Sequence, residues 1–345
     1  MSGNLVLEAA KKQKDDEFFT QREDIENELR HYKDHFKDKI VYMNCDDPAE
    51  SEFWKFFVRN FEPWDIKKLI ATHYIPDNKE QSYKIEIVRP ETGYYKGKHN
   101  SKVNIPQEQM SLWLDPVHVP IESNGDFESE ACVKILKEAD IVVTNPPFSK
   151  FRSYVKQLMD YQKKFVIIGN QNAISYKEIF PLIQENKMWL GYHNGDMSFK
   201  VPDYYPERST RFWIDETGQK WRSLGNICWF TNLDIPKRHQ PLDLRGVKYE
   251  GNEENYPYYD EYPAINIDKV SEIPEDYYGV MGVPLTFFTK YSPDQFEIVG
   301  LDRYVDNNPH PGRRFKIDGK EKYARILIRR KDGPDANRRT QNQDT

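Results

Sequence analysis

The chain has 345 residues, 38% hydrophobic and 31% charged, with a formal net charge of −6. It contains no run of about 18 apolar residues that could span a membrane, and residues 1–16 lack the apolar core of a signal peptide. Cys45, Cys132 and Cys228 lie far apart without a Cys-x-x-Cys pair, which fits a reducing cytoplasm and argues against a disulfide scaffold or structural zinc.

Residues 1–15 are polar and read as a flexible terminus. A helix follows, with Ile25, Leu29, Tyr32 and Phe36 at spacings of four, three and four. Ile40-Val41-Tyr42-Met43 reads as a short buried strand. Asp47 then reads as a helix N-cap, with Pro48 at the first helical position and Glu50 closing a capping box. Phe53, Trp54, Phe56 and Phe57 form the apolar side of that helix. Strands are expected at 68–72 and 83–88, and a long irregular insertion at 91–120, where the chain is polar and carries Gly and Pro. Gly125-Asp126-Phe127 is a turn, 131–139 a helix and 141–143 an apolar strand. After it, Phe151, Tyr154, Val155, Leu158 and Met159 mark the stripe of a helix lying on a sheet. Residues 165–169 form another buried strand. Alternation of this kind predicts an α/β domain with a largely parallel sheet.

A helix near 176–186, a strand at 188–192 and hairpin strands around 211–214 and 226–230 complete the domain. Beyond Asp234 the texture changes to Pro, Tyr and acidic residues with short strands at 296–300 and 325–328, so the boundary falls near 232. Residues 250–276 carry nine acidic residues against Lys269. Residues 311–331 carry nine basic residues (Arg313, Arg314, Lys316, Lys320, Lys322, Arg325, Arg329, Arg330, Lys331) against Asp318 and Glu321. A local phosphate-binding face is compatible with that distribution despite the net negative charge.

The chemistry centres on Thr144-Asn145-Pro146-Pro147-Phe148, a turn between the 141–143 strand and the helix from Phe151. Ligands of open α/β sheets bind at such carboxyl strand ends. An exocyclic amine on an aromatic base is a poor nucleophile because its lone pair is delocalised into the ring. The Asn145 side-chain oxygen and the Pro146 carbonyl, held by rigid proline backbone, can accept its two N–H bonds and localise that pair. Phe148 offers a flat face for a base withdrawn from its stack. Histidines and acids show no metal-ligand spacing, so no metal is expected.

These motifs resemble the EcoRI-type adenine-specific DNA methyltransferases. The matching stretches are Asp16-Glu17-Phe18-Phe19-Thr20-Gln21 with Asp24-Ile25-Glu26-Asn27-Glu28-Leu29, Val41-Tyr42-Met43-Asn44-Cys45-Asp46-Asp47-Pro48, and Asn145-Pro146-Pro147-Phe148. The first two are specific to that branch; the last also occurs in methyltransferases acting on RNA or on glutamine side chains. The resemblance implies a Rossmann-like core (residues 16–232) that binds S-adenosylmethionine, followed by a mixed target-recognition region (233–345). Phe18, Phe19 and Thr20 would then lie near the methionine part of the cofactor. Asn44, Asp46 and Asp47 match the loop after the first core strand, and Asp126 and Phe127 lie where the cofactor adenine is often contacted. One departure is that no glycine occurs between Gly3 and Gly93. A Gly-rich loop serves pyrophosphate, which this cofactor lacks; carboxylates suit its cationic and hydroxyl groups.

The expected activity is methyl transfer to N6 of adenine at a specific site in double-stranded DNA, with base flipping, as in a restriction-modification methylase. Asn145, Pro146 and Phe148 are its catalytic candidates, and Arg313, Arg314, Lys316, Arg325 and Arg329 its candidate phosphate contacts. A monomer suffices for one base per visit; the sequence does not imply a cognate endonuclease. The alternatives are an RNA or protein-amide methyltransferase using the same motif, or an inactive DNA-binding homologue.

Overall fold

The computed structural model describes residues 18–45, 47–75, 82–89 and 117–333. The terminus at 1–15, residues 91–116 of the expected insertion, and Asp46 lie outside the described residues.

Strand β1 (Phe19–Thr20) leads into α1 (Arg22–Leu29), which tightens to a 3₁₀ turn ending at His35. The apolar spacing works as expected, since Ile25, Leu29, Tyr32 and Phe36 are all fully buried. β2 (Ile40–Met43), α2 (Glu52–Asn60) and β3 (Lys68–Thr72) form the first crossover unit, followed by β4 (Tyr83–Val88) and β5 (Val117–Pro120). Two expectations are corrected here. Residues 117–120 are not irregular: β5 pairs antiparallel with β4, Tyr83 opposite Pro120. Nor does Asp47 cap α2. Its carbonyl accepts from Glu50 N and Ser51 N, and its carboxylate from Ala49 N, which closes a separate turn. The chain becomes helical only after Ser51, whose hydroxyl accepts from Trp54 N.

α3 (Glu130–Glu138), β6 (Ile141–Thr144), α4 (Phe151–Asp160) and β7 (Lys164–Asn170) continue the alternation. α5 (Phe180–Gln184) is shorter than expected and starts with Pro181 in its first turn. β8 (Trp189–Lys200) is much longer than the expected 188–192, and it is followed by β9 (Phe212–Ile214) and β10 (Lys220–Thr231).

The large sheet has the order β1-β8-β10-β7-β6-β2-β3-β4-β5, with β9 beside β10. The sheet is not largely parallel as expected: only the four central strands, β7, β6, β2 and β3, are parallel, with Val41 opposite both Leu69 and Ile141, while β10, β4 and β5 join them in antiparallel pairs. The order reverses between β2 and β6: β2 is succeeded by β3 on one side, β6 by β7 on the other. Loops leaving the carboxyl ends of β2 and β6 therefore diverge and open a crevice, the place where such sheets bind ligands.

The amino-terminal segment is fastened to β8 by a buried carboxylate. Glu28, with no exposed surface, accepts from Tyr32 Oη (2.7 Å), Tyr192 N (2.8 Å), His193 N (2.8 Å) and lies 2.8 Å from His193 Nδ1. Gly191 makes this possible, because a Cβ there would strike Glu28 Oε1. Removing the carboxylate leaves the buried Tyr32 hydroxyl and the part-buried Tyr192 and His193 amides without their acceptor, so Glu28→Ala should cost about 3–5 kcal/mol. Denaturant unfolding of the variant checks this, and a loss under about 1 kcal/mol would contradict the clasp.

The chain divides into two units, one of residues up to Gln171 with Gly191–Leu233, the other of Asn172–Leu190 with the chain from Asp234. Residues 172–190, placed by sequence in the first domain, thus belong with the carboxyl-terminal part. That unit holds the sheet β11 (Ile265–Asn266), β12 (Met281–Pro284), β16 (Arg325–Arg330), β13 (Phe296–Leu301), and the small pair β14 (Lys316–Ile317) and β15 (Lys320–Glu321). Its core includes Tyr259, Ala264, Phe315 and Leu327, and Gln184 donates to the carbonyls of Ile298 (3.3 Å) and Val299 (3.0 Å). Just after β13, Asp302 is fully buried and its Oδ2 has no hydrogen-bond partner among the described residues. Burial pushes its carboxyl up to about 6. The folded state then holds this proton when the unfolded chain, with an ordinary aspartate near 3.9, has released it. Stability should therefore fall as pH rises from about 4 to 6. Asp302→Asn should flatten that slope and stabilise the protein at pH 7 by about 2–3 kcal/mol; unfolding curves at pH 4, 6 and 7 provide the check.

Candidate active site

The crevice at the sheet reversal gathers most of the residues singled out from sequence. Asn145, at the end of β6, is 7% exposed, and its Nδ2 donates to the Phe18 carbonyl at 2.8 Å. Its Oδ1 is buried without a hydrogen-bond partner among the described residues. Pro146 is buried beside it, while the Pro147 carbonyl accepts from Lys150 N at 3.0 Å in the turn leading to α4. The Phe148 ring stacks on Phe18, with centroids 5.5 Å apart and planes at 25°. Phe18 also packs against Phe199 and Tyr205, at 5.4 and 5.9 Å. Phe19 and Thr20 pair with Lys200 and Phe199 across the β1–β8 edge.

Across the reversal, Asn44 ends β2 and is almost completely buried. Tyr154 Oη on α4 donates to its Oδ1 at 2.5 Å, and its Nδ2 has no partner among the described residues. Burial holds the Tyr154 hydroxyl well above the usual phenol range, so it stays a donor. The side-chain oxygens of Thr20 and Thr144 are likewise buried without partners. Asp47 lies near its turn, with Oδ2 3.4 Å from His73 Nε2. Gly125, at φ +80°, lets the chain pass against the His73 carbonyl before Asp126, whose Oδ2 pairs with Lys150 Nζ at 2.9 Å. Phe127 packs edge-on against Tyr154 at 4.9 Å, beneath the Lys150 ammonium.

Buried polar atoms without partners are uncommon and costly. Here Asn145 Oδ1, Asn44 Nδ2, Thr20 Oγ1 and Thr144 Oγ1 all belong to residues at or beside one crevice, which marks it as a place for a polar ligand. Among the described residues, no group of three or more His, Cys, Asp or Glu could hold a metal.

A family model for the adenine-specific methyltransferase EcoRI matches residues 6–331. The chain belongs to this family. The methyltransferase is 47% identical over 331 residues to type II methyltransferase M.EcoRI of Escherichia coli, covering 95% of this chain and 97% of that protein. It is 36% identical to type II methyltransferases M.MgeORF184P of Mycoplasma genitalium, over 336 residues, and M.MpnI of Mycoplasma pneumoniae, over 338; each match covers 93% of this chain and 97% of the relative. No solved structure matches. The reaction of this methyltransferase is site-specific methylation of adenine in DNA, within a mixed α/β fold built on a large central sheet.

The basic residues expected at phosphate separate into two groups. Arg325 is corrected outright: it is 5% exposed, and its guanidinium donates to Asn266 Oδ1 (3.1 Å) and Asp268 Oδ1 (2.8 Å), making it an internal strut. Arg329 is paired through Nε and Nη2 with Glu297. Arg313 is exposed, Arg314 lies 3.8 Å from Glu321, and Lys316 is half-buried. Three members of the crevice escaped the sequence reading: Tyr154, Lys150 and Tyr205. Tyr154 sits in a core stripe, and nothing in that stripe signals a bond to Asn44, 110 residues away. Tyr154→Phe removes the donor to Asn44 Oδ1 and should lower stability by about 1–2 kcal/mol, read as a reduced thermal midpoint.

Proposed function

We propose that the enzyme transfers a methyl group from S-adenosylmethionine to the exocyclic N6 of adenine in duplex DNA, with the adenine rotated out of the helix into the crevice between β2 and β6. The observation that carries this reading is the state of the Asn145 amide. Its nitrogen is tied to Phe18 and its oxygen is left buried without a partner. A buried carbonyl in that state costs about 1–3 kcal/mol, and a substrate N–H offsets the cost.

When bound, S-adenosylmethionine supplies a methyl group on a cationic sulfur, open to in-line attack. Asn145 Oδ1 accepts one N6 proton and the Pro146 carbonyl the other, drawing the nitrogen towards tetrahedral geometry and freeing its lone pair. Neither oxygen is a strong base, so both orient the amine; as the new C–N bond forms the methyl–sulfur bond would break, the sulfur leaving with the electron pair as a neutral thioether, and the surplus proton of the amine passes to water. Phe148 serves as a plate for the flipped base. Stacked rings lie about 4.5–7 Å apart, so no base fits between Phe148 and Phe18 at 5.5 Å. The base takes the other face, and Phe18 backs the plate.

The polar atoms of the crevice fit the cofactor. Asn44, Thr20 and Thr144 offer a neutral donor and hydroxyls suited to an amino-acid group and ribose hydroxyls. Asp47 offers a carboxylate for a cation or hydroxyl, and Asp46, next to it in sequence, is proposed to do the same. Phe18, Phe19, Asp126 and Phe127 complete the cofactor side. Arg313, Arg314 and Lys316 contact phosphate from the carboxyl-terminal unit, which serves target recognition beside a Rossmann-like core, and the enzyme acts as a monomer in the cytoplasm.

The test is transfer of labelled methyl groups to unmethylated duplex DNA, with RNA in parallel. The wild type should yield N6-methyladenine in DNA alone. Asn145→Ala should lower turnover at least about 100-fold, the scale for losing one preorganised partner of the transition state, while retaining DNA binding. Turnover within tenfold of wild type would remove Asn145 from the mechanism.

A further inference from the structure

The wall of the crevice continues into the β8–β9–β10 segment of the same unit. From Phe148 the rings run through Phe18 to Tyr205 at 5.9 Å, and from Tyr205 to Phe212 at 6.5 Å with planes at 13°. Tyr205 is 4% exposed, so this buried ring ties the segment to Phe18 and, through the Phe18 carbonyl, to Asn145. The segment also exposes large apolar side chains: Tyr204 is 55% exposed, Trp213 41% and Ile214 49%. Cations are interleaved with the rings. Lys200 Nζ lies over Trp221 at 5.7 Å, Trp221 stacks on Trp213 with planes at 1°, and Arg208 lies over Tyr205 at 5.8 Å.

The loop is also braced from below. Lys220 donates to the carbonyls of Asp203 (2.6 Å) and Tyr205 (3.2 Å), and Arg222 to those of Thr210 and Arg211. Two strand cations thus hold the loop's backbone in one arch, which lowers the ordering cost of binding. Arg208 and Arg211 stand on the exposed arch, Arg211 paired at 3.0 Å with Asp196. Five acidic residues, Asp196, Asp203, Glu207, Asp215 and Glu216, balance the five basic ones of the segment. Few phosphates can therefore be met here, and the apolar faces must contribute much of the contact.

We propose that the 203–214 arch is the surface of the catalytic unit on which the DNA beside the flipped adenine rests. Arg208 and Arg211 meet backbone phosphate, and Tyr204 and Trp213 meet the sugars and bases exposed where the adenine leaves its stack. This rests on delivery of a duplex adenine to Asn145.

The experiment compares wild type, Arg208→Ala/Arg211→Ala and Trp213→Ala for binding to a duplex carrying the recognised site and to an unrelated duplex, across a range of salt. The double variant should bind both duplexes about tenfold more weakly, with a salt slope smaller by about 2, one unit for each phosphate lost. Trp213→Ala should weaken binding about tenfold with its slope unchanged. Cofactor affinity and thermal midpoint should hold; where the midpoint falls, Arg208→Gln/Arg211→Gln replaces the double variant. Binding within twofold of wild type in all variants overturns the inference. So does a change of oligomeric state at unchanged DNA affinity, which would assign the arch to a second copy of the chain. Methyl transfer by the wild type, measured alongside, separates the outcomes: failure there sinks the underlying reading, whereas normal transfer with unaltered variant binding sinks only the arch.

Discussion

Everything at this site depends on one hydrogen bond, from Asn145 Nδ2 to the Phe18 carbonyl. It joins residues 127 apart in sequence and fixes the rotation of an amide that could otherwise turn either atom outward. With the nitrogen engaged, the oxygen is the atom offered to a ligand. The same bond sets Phe18 against Phe148, so the backing of the aromatic plate and the polarity of the amide are determined together. Glu28 supports the arrangement from behind by securing α1 to β8, whose far end carries the partner residues of β1.

A second constraint is topological. Parallel strands on either side of β2 are continued in opposite directions along the sheet, so the loops that begin at Asn44 and Asn145 diverge. Both are then free to carry side chains chosen for chemistry. The absence of a Gly-rich turn after β2 follows the same logic. The Asp47 turn and the Ser51 cap satisfy the backbone amides of that loop internally, so they are not offered to a phosphate.

Much of this was legible in the residues. Strong periodicity placed α1, β2, β3, β6, α4 and β7, because each buries one face or both and the apolar pattern records that directly. The Asn145 motif announced itself through proline rigidity and its position between strand and helix. What stayed hidden was whatever depends on distant pairing. Twelve-residue β8 carries polar residues and glycines that read as loop, and only its neighbours make it a strand. Asp47 and Ser51 are both good caps in sequence, and the choice between them was made by hydrogen bonds of the Asp47 carbonyl. Arg325 looked like part of a basic surface because sequence records charge but not the Asn266 and Asp268 partners that bury it.

The division of the chain has a bearing on how the molecule is made. Residues 172–190 emerge from the ribosome between two stretches of the catalytic unit, yet their companions begin only at Asp234. During synthesis the first unit can be completed once Leu233 is available, while an intervening segment carrying Phe180, Ile183 and Met188, all buried in the finished protein, still awaits its partners. Neither unit is one continuous piece of sequence. A cut after Leu233 would thus release no self-sufficient catalytic half, but a fragment with an apolar stretch left uncovered.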